Sequence, residues 1–296
     1  MNKITNPFRI KSLLFIPAIK ESYFDKVLEF KGDEKPDGII FDLEDSVGEQ
    51  YKNDARKILF NRLVKDMQFK EKISSIYKIF VRINGLKTKW FSDDLNLIKK
   101  IAPDFLMLSK IEEKKELILT RKKSKDSQLF VVIESIKGFR NREKILGLMK
   151  PSDLFAIGYE DLSSELLIER PDDLSAENPI TKILMDCIIS VRERNVIIID
   201  AVSRKFGTPE NLEQLEKECQ FTLSLGLTGK VAVHPSQVPI INKVFNKEVL
   251  LKKAEEVLAQ FKELKNGSSV IVRESKEMND MPSYKMYKKL LELWSR

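Results

Sequence analysis

Short, continuously apolar runs alternate with longer amphipathic ones along this chain of 296 residues. The short runs are Ser12–Pro17, Gly38–Leu43, Ile79–Asn84, Phe105–Ser109, Leu129–Glu134, Leu154–Gly158, Val196–Ile199 and Lys230–His234. Unbroken apolarity, rather than strict alternation, marks strands buried on both faces of a parallel sheet. Helix-like segments lie between them, among them Glu21–Phe30, Lys52–Asp66, Trp90–Ile101 and Glu210–Ser224. Thr208 is a cap candidate for the last of these, and Pro209 suits its first helical position. Eight such strands separated by helices predict an α/β protein, a (β/α)8 barrel. A doubly wound open sheet is the alternative. In its usual dinucleotide role it needs a glycine-rich loop after an early strand, and the turn Pro17-Ala18-Ile19-Lys20 has no glycine.

The pattern changes after Phe245, which puts the barrel at 1–246 and a C-terminal helical extension, able to act as a lid, at 247–296. In that extension Glu248–Leu264 reads as a helix, 266–269 as a turn and Val270–Arg273 as a short strand. Met281-Pro282 reads as a break and Ser283–Trp294 as a final helix.

Apolar residues at 42% suffice for a large core, and charged residues at 33% predict a well-solvated surface. The net charge of +7 is spread along the sequence. Its densest cluster, Arg121-Lys122-Lys123-Ser124-Lys125, reads as a solvated turn without interleaved aromatics, so no nucleic-acid partner is expected. Cys187 and Cys219 sit in helix-like apolar patterns and read as buried free thiols, which fits a reducing, cytoplasmic setting. Lys3, Arg9 and Lys11 before 13–19 superficially resemble a signal peptide, but Pro17 and the following Lys20-Glu21 fit a first barrel strand better. No apolar run approaches membrane-spanning length.

Functional groups of such barrels sit at the carboxyl ends of the strands. Here those ends carry Asp42-Leu43-Glu44-Asp45, Arg82-Ile83-Asn84, Ser109-Lys110, Glu134-Ser135, Glu160-Asp161 and His234. Mg²⁺ takes one or two carboxylates and leaves its other positions to water and substrate. Glu134 and Asp161, on neighbouring strands, are the best-placed pair, and Arg82 could fork onto a substrate carboxylate. Plainer readings stand beside these. Asp45 and Glu160 could only cap helices, Arg82 could be an ion-pair partner for Asp42 or Glu44, and Lys110 could be solvated. His234 is the only histidine and suits a hydrogen-bonded role better than metal ligation.

Taken in order, several segments resemble the citrate lyase beta-subunit-like family, within the HpcH/HpaI aldolase superfamily, which includes citryl-CoA, malyl-CoA and citramalyl-CoA lyases. They are Ser12-Leu13-Leu14-Phe15-Ile16-Pro17, Phe41-Asp42-Leu43-Glu44-Asp45-Ser46-Val47, Val81-Arg82-Ile83-Asn84 and Met107-Leu108-Ser109-Lys110-Ile111-Glu112. Ile133-Glu134-Ser135-Ile136-Lys137-Gly138, Gly158-Tyr159-Glu160-Asp161-Leu162 and His234-Pro235-Ser236-Gln237 continue the series. The resemblance implies a homotrimeric or hexameric barrel enzyme that cleaves or forms a carbon–carbon bond beside a thioester. It implies Mg²⁺ on Glu134 and Asp161, an oxo-acid carboxylate on Arg82, and an acidic pair, Glu44 and Asp45, beside the metal and its waters. Phe15, Arg82, Lys110 and Glu134 are the implied substrate-binding positions. Asp280, before Met281-Pro282, matches the family's catalytic acid/base, delivered from a neighbouring subunit's tail. Without the resemblance it reads as a cap. The implied partners are a CoA or acyl-carrier thioester and a small oxo-acid.

Departures from the family pattern are Ser109 for proline, Ala18 for glycine, Lys11 for arginine and Tyr159 for a small residue, which could narrow the pocket. Lys205-Phe206-Gly207-Thr208 stands where acidic residues around an aromatic are common. These departures bear on substrate identity more than on the metal. A thioesterase or oxo-acid aldolase on the same barrel, or a non-catalytic scaffold subunit, remain the alternative functions.

Overall fold

The computed structural model describes residues 5–124, 127–263, 269–271 and 278–295. The chain forms two compact units, Met1–Phe245 and Asn246–Arg296. In the first, the strands are β1 (Ser12–Pro17), β2 (Gly38–Asp42), β3 (Lys78–Ile83), β4 (Phe105–Leu108), β5 (Gln128–Ile133), β6 (Leu154–Ile157), β7 (Ile197–Ile198) and β8 (Lys230–Ala232). Between and after them run α1 (Ser22–Lys26), α2 (Lys52–Phe60), α3 (Met67–Ile76), α4 (Phe91–Ile101), α5 (Lys114–Lys123), α6 (Ile136–Arg140) and α7 (Arg142–Leu146). They continue with α8 (Tyr159–Glu165), α9 (Pro179–Glu193), α10 (Pro209–Ser224) and α11 (Val238–Val244).

Neighbouring strands pair in parallel in the order β7-β6-β5-β4-β3-β2-β1-β8. The ring closes where Asp200, just past β7, bridges in parallel to Lys230 on β8. There the Asp200 N–H donates to the Gly229 carbonyl at 2.7 Å and the Val231 N–H to the Asp200 carbonyl at 3.1 Å. The expected (β/α)8 barrel is therefore the fold.

The period of two along each strand separates two cores. On β5, Leu129, Val131 and Ile133 face out and pack with the helices. Phe130 and Val132 face in and line a cavity inside the ring. Phe80 and Phe105 stack in that interior with centroids 4.5 Å apart, and Phe130 meets Phe80 edge-on at 6.2 Å. As expected, the Thr208 hydroxyl accepts the Asn211 N–H and Pro209 opens α10. Cys187 and Cys219 are buried free thiols, pushed up to about 12 by burial.

Some local expectations differ. The run Lys52–Asp66 is helical as expected, but α2 passes into a π-helical turn over Asn61–Lys65. Arg121, Lys122 and Lys123 form the last turn of α5 rather than a loop, where positive charge suits the carbonyl end of the helix. Arg121 pairs with the buried Asp153. Lys125 lies outside the described residues.

The second unit holds α12 (Glu248–Glu263), the antiparallel strands β9 (Ser269–Ile271) and β10 (Met278–Asp280), and α13 (Met281–Ser295). Ala254, Val257 and Tyr287 form its small core. Met281-Pro282 does not break the chain but opens α13, since proline fits a first helical turn. The turn at 266–268 and residues 272–273 lie outside the described residues. Among the described residues no helix is long and apolar enough to cross a membrane.

The closing seam of the barrel is ionic. Lys230, fully buried, places Nζ 2.6 Å from Asp200 Oδ2 and 2.7 Å from Glu218 Oε1. Lys230→Met strands both carboxylates, and loss of one partner from a buried pair typically costs about 3–5 kcal/mol. Chemical denaturation should show a loss of that size, and a loss under about 1 kcal/mol would contradict an ionic seam.

Candidate active site at the carboxyl ends of the strands

Strand register sets the first contact. Asp42 and Arg82 are direct partners across β2 and β3, so both side chains emerge at one height into the barrel mouth. Arg82 Nε and Nη2 donate to the two Asp42 carboxylate oxygens at 2.7 and 2.6 Å. The plainer reading of Arg82 as an ion-pair partner thus holds, and Asp42 takes one edge of its fork. The other edge, Nη1, lies 3.1 Å from Glu44 Oε2 and 3.6 Å from Asp45 Oδ2. The guanidinium also sits over the Phe15 ring, 4.6 Å from its centroid. Burial opposes ionisation of Asp42. The charge and hydrogen bonds of Arg82, aided by Ser46 and the Glu44 amide, outweigh it and hold the carboxyl below its ordinary range.

Four further groups close around this pair. Lys110 Nζ stands 2.8 Å from Asp45, 3.2 Å from Glu44 and 3.9 Å from Asp161. Its backbone is left-handed, with φ at +56°, a conformation that costs a non-glycine residue about 1–3 kcal/mol. That turn aims the Lys110 N–H at Glu134 Oε1, 2.8 Å away. Ser109, where the family pattern has proline, donates its hydroxyl to Glu44 Oε2 at 2.7 Å. Behind the site, Lys52 Nζ is held on the carbonyls of Leu43 and Glu44 at 2.8 and 2.6 Å.

Negative charge exceeds positive here. Asp42, Glu44, Asp45, Glu134 and Asp161 converge on Arg82, Lys110 and the more distant Lys52. Glu134 registers the imbalance. Burial first, and then the Glu44 and Asp161 carboxylates, push it up to about 8. Glu44 is raised too, by burial against the pull of Arg82 and with the push of Asp45. Among the described residues no three His, Cys, Asp or Glu side chains group as a self-sufficient metal site. A cation between Glu134 and Asp161 would keep open positions, as Mg²⁺ sites usually do.

Two cavities meet at these carboxylates. One, of about 450 Å³, descends into the barrel among Phe15, Met107, Phe130, Val132, Ala156 and Val231. The other, of about 600 Å³, opens between the β2, β3 and β4 loops among Lys52, Asn84, Lys87, Thr88, Lys110 and Glu112. Asp45, Glu134 and Asp161 line both.

The fold thus brings together Phe15, Arg82, Glu44, Asp45, Lys110, Glu134 and Asp161. Asp280 belongs to the second unit, where its Oδ1 accepts the Ser283 N–H and hydroxyl, both at 3.2 Å, as a helix cap does. His234 is used locally. Its Nδ1 meets the Ser236 hydroxyl at 2.9 Å and its ring stacks on Phe206. Lys205 pairs with Asp172 at 3.1 Å. Tyr159 lines the inner cavity but is buried, with its hydroxyl on Asp200. The network joining Tyr159, Asp200, Lys230, Glu218 and Arg170 was not read from the sequence. Its one signal was a lysine opening an otherwise apolar strand run.

Residues 11–235 match the HpcH/HpaI aldolase/citrate lyase family. The chain belongs to that family. Among its relatives is the (3S)-malyl-CoA thioesterase of Cereibacter sphaeroides (strain ATCC 17023), 29% identical over 93% of this chain and 91% of the relative. Another is the citrate lyase subunit beta of Leuconostoc mesenteroides subsp. cremoris, 28% identical over 83% of this chain and 82% of the relative. The fold matches the crystal structure of CitE from Mycobacterium tuberculosis in complex with magnesium, acetoacetate and coenzyme A. That likeness has a TM-score of 0.72 at 22% identity and covers 98% of this chain and all of that one.

Gly158 ties the family motif to the geometry. A β-carbon there would lie 2.3 Å from Glu134 Oε2 and 2.6 Å from Glu134 Cβ. Gly158→Ala should therefore displace Glu134 and lower stability by about 1–3 kcal/mol, the usual penalty of overpacking. An unchanged denaturation midpoint would contradict this close approach.

Proposed function

We propose that this protein is a Mg²⁺-dependent carbon–carbon lyase. It cleaves, or in reverse forms, a 3-hydroxyacyl thioester of the citryl, malyl or citramalyl type, giving an acyl thioester and an oxo-acid. The observation that carries this reading is the pair Glu134 and Asp161, which lines both cavities while Glu134 is crowded by like charge. A hard, all-oxygen donor set with an excess of negative charge fits Mg²⁺. Bound there, Mg²⁺ would serve as a Lewis acid that lowers the pKa of the substrate hydroxyl. Magnesium also accompanies the CitE structure of matching fold.

The chain's own residues supply the remaining steps. Arg82 Nη1 orients the substrate carboxylate, with Phe15 beneath the guanidinium. Lys110 keeps Glu44 and Asp45 in place beside the reacting hydroxyl, and this acidic pair takes its proton. The electron pair of that O–H bond becomes the carbonyl of the oxo-acid as the bond to the thioester α-carbon breaks. The thioester enolate left behind needs one proton at carbon. Asp280, brought by the tail of a neighbouring copy in a trimer or hexamer, is the proposed donor. A tail acting as a lid would exclude water and protect the enolate. The carrier on the thioester is CoA or an acyl-carrier protein, and the enzyme works in the cytoplasm.

A thioesterase is the second reading, favoured by the malyl-CoA thioesterase among the relatives. The two differ in the bond broken. With malyl- or citramalyl-CoA and Mg²⁺, a lyase yields an oxo-acid and an acyl thioester in equal amounts, and no free thiol. Release of free thiol with the hydroxy-acid intact would replace the lyase reading by hydrolysis. Asp280→Ala should lower turnover by about 100-fold or more, in the range of general acid catalysis, and leave divalent-cation affinity unchanged. Unchanged turnover would remove Asp280 from the chemistry.

A further inference from the structure

The acidic pair Glu44 and Asp45 is not symmetric, and the turn after β4 divides it. The Glu44 side chain is 8% exposed and that of Asp45 is 54% exposed. Both Glu44 oxygens are engaged. Oε1 lies 3.2 Å from Lys110 Nζ. Oε2 accepts the Ser109 hydroxyl at 2.7 Å and lies 3.1 Å from Arg82 Nη1. Asp45 is held at Oδ1, which Lys110 Nζ meets at 2.8 Å. Its Oδ2 stands 3.6 Å from Arg82 Nη1, beyond hydrogen-bond reach. Asp45 also lines both cavities, whereas Glu44 lines the outer one.

Ser109 and Lys110, successive residues, thus grip one carboxylate at its two oxygens. The Ser109 side chain is buried. A buried hydroxyl that loses its acceptor is costly, so hydroxyl and carboxylate hold each other. Glu44 needs holding. It is a long side chain with rotamer freedom to lose, and the like charge of Asp45 pushes against it. Swung away, Glu44 would release both Arg82 Nη1 and Lys110 Nζ. Lys110 is the same group that fixes Asp45. Ser109 therefore reaches Asp45 in two steps, through Glu44 and Lys110. A proline at this position, as in the family pattern, has no hydroxyl to give.

We propose that Ser109 is a positioning residue: its hydroxyl fixes Glu44 as the anchor of Arg82 and Lys110, and Asp45 is the member of the pair that takes the substrate proton. This rests on the lyase reading above and adds a division of labour to it. The hydroxyl proton passes to Asp45 Oδ2, and the O–H electron pair becomes the carbonyl of the oxo-acid. The pair of the breaking carbon–carbon bond stays on the thioester enolate, which takes its proton from Asp280 in that reading.

Steady-state cleavage of malyl-CoA and citramalyl-CoA by the full chain with Mg²⁺ tests it. Asp45→Asn should lower kcat by about 100-fold or more, the range of general base catalysis. Ser109→Ala should lower kcat by about 10- to 100-fold, as a small misplacement of a reacting group does, with KM and Mn²⁺ affinity unchanged. In a Glu44→Ala background, Ser109→Ala should cost nothing more, because the partner through which it acts is gone. Wild-type kcat in Ser109→Ala or in Asp45→Asn would overturn the inference while leaving the lyase reading in place. So would a Ser109→Ala loss that persists undiminished without Glu44. If the wild type turns neither thioester into an oxo-acid and an acyl thioester, the lyase reading falls and this inference with it.

Discussion

Five carboxylates meet at the open end of the barrel with fewer cations than they need, and most of the site follows from that excess. Asp42 is stabilised as an anion by the two-pronged bond from Arg82. Lys110 is drawn onto Glu44 and Asp45 and holds its charge firmly there, the attraction of those carboxylates exceeding the penalty of its partial burial. Glu134 is left over. The Lys110 N–H, itself aimed by a left-handed backbone, donates to it. A half-buried carboxylate crowded by like charge either keeps a proton or takes a cation. A divalent ion shared with Asp161 would relieve the repulsion while leaving room for substrate.

The barrel as a whole was legible because it depends on burial, which writes itself into composition. Strands buried on both faces must be apolar throughout, and β1 through β6 lie within about a residue of the runs that marked them. β7 and β8 are shorter than their apolar runs because the ring closes through one bridge, Asp200 to Lys230, rather than a long ladder. Lys230 looked like the edge of a strand and is instead the buried cation of the seam. An ion pair between distant residues leaves no periodic trace, so this network was invisible until the strands were joined.

The site was legible in part for a similar reason. Strand ends carry functional groups in this architecture, so Glu44, Arg82, Lys110, Glu134 and Asp161 could be named one by one. Their couplings could not. That Arg82 divides its fork between Asp42 and Glu44 depends on cross-strand register, and that Gly158 makes space for Glu134 depends on the approach of two strand ends. Asp280 shows the opposite limit. Its local hydrogen bonds to Ser283 are those of a helix cap, and its chemical role is drawn from resemblance.

The pair Glu134 and Asp161 can be tested without any assumption about substrate. Titration with Mn²⁺ as a spectroscopic stand-in for Mg²⁺, read by electron paramagnetic resonance, counts cation sites and their affinity. One site per chain is expected in the wild type. Glu134→Gln should weaken it by more than the roughly 10–100-fold that follows loss of an outer-shell partner. Cation binding of unchanged number and affinity in that variant would contradict a metal held by Glu134 and Asp161.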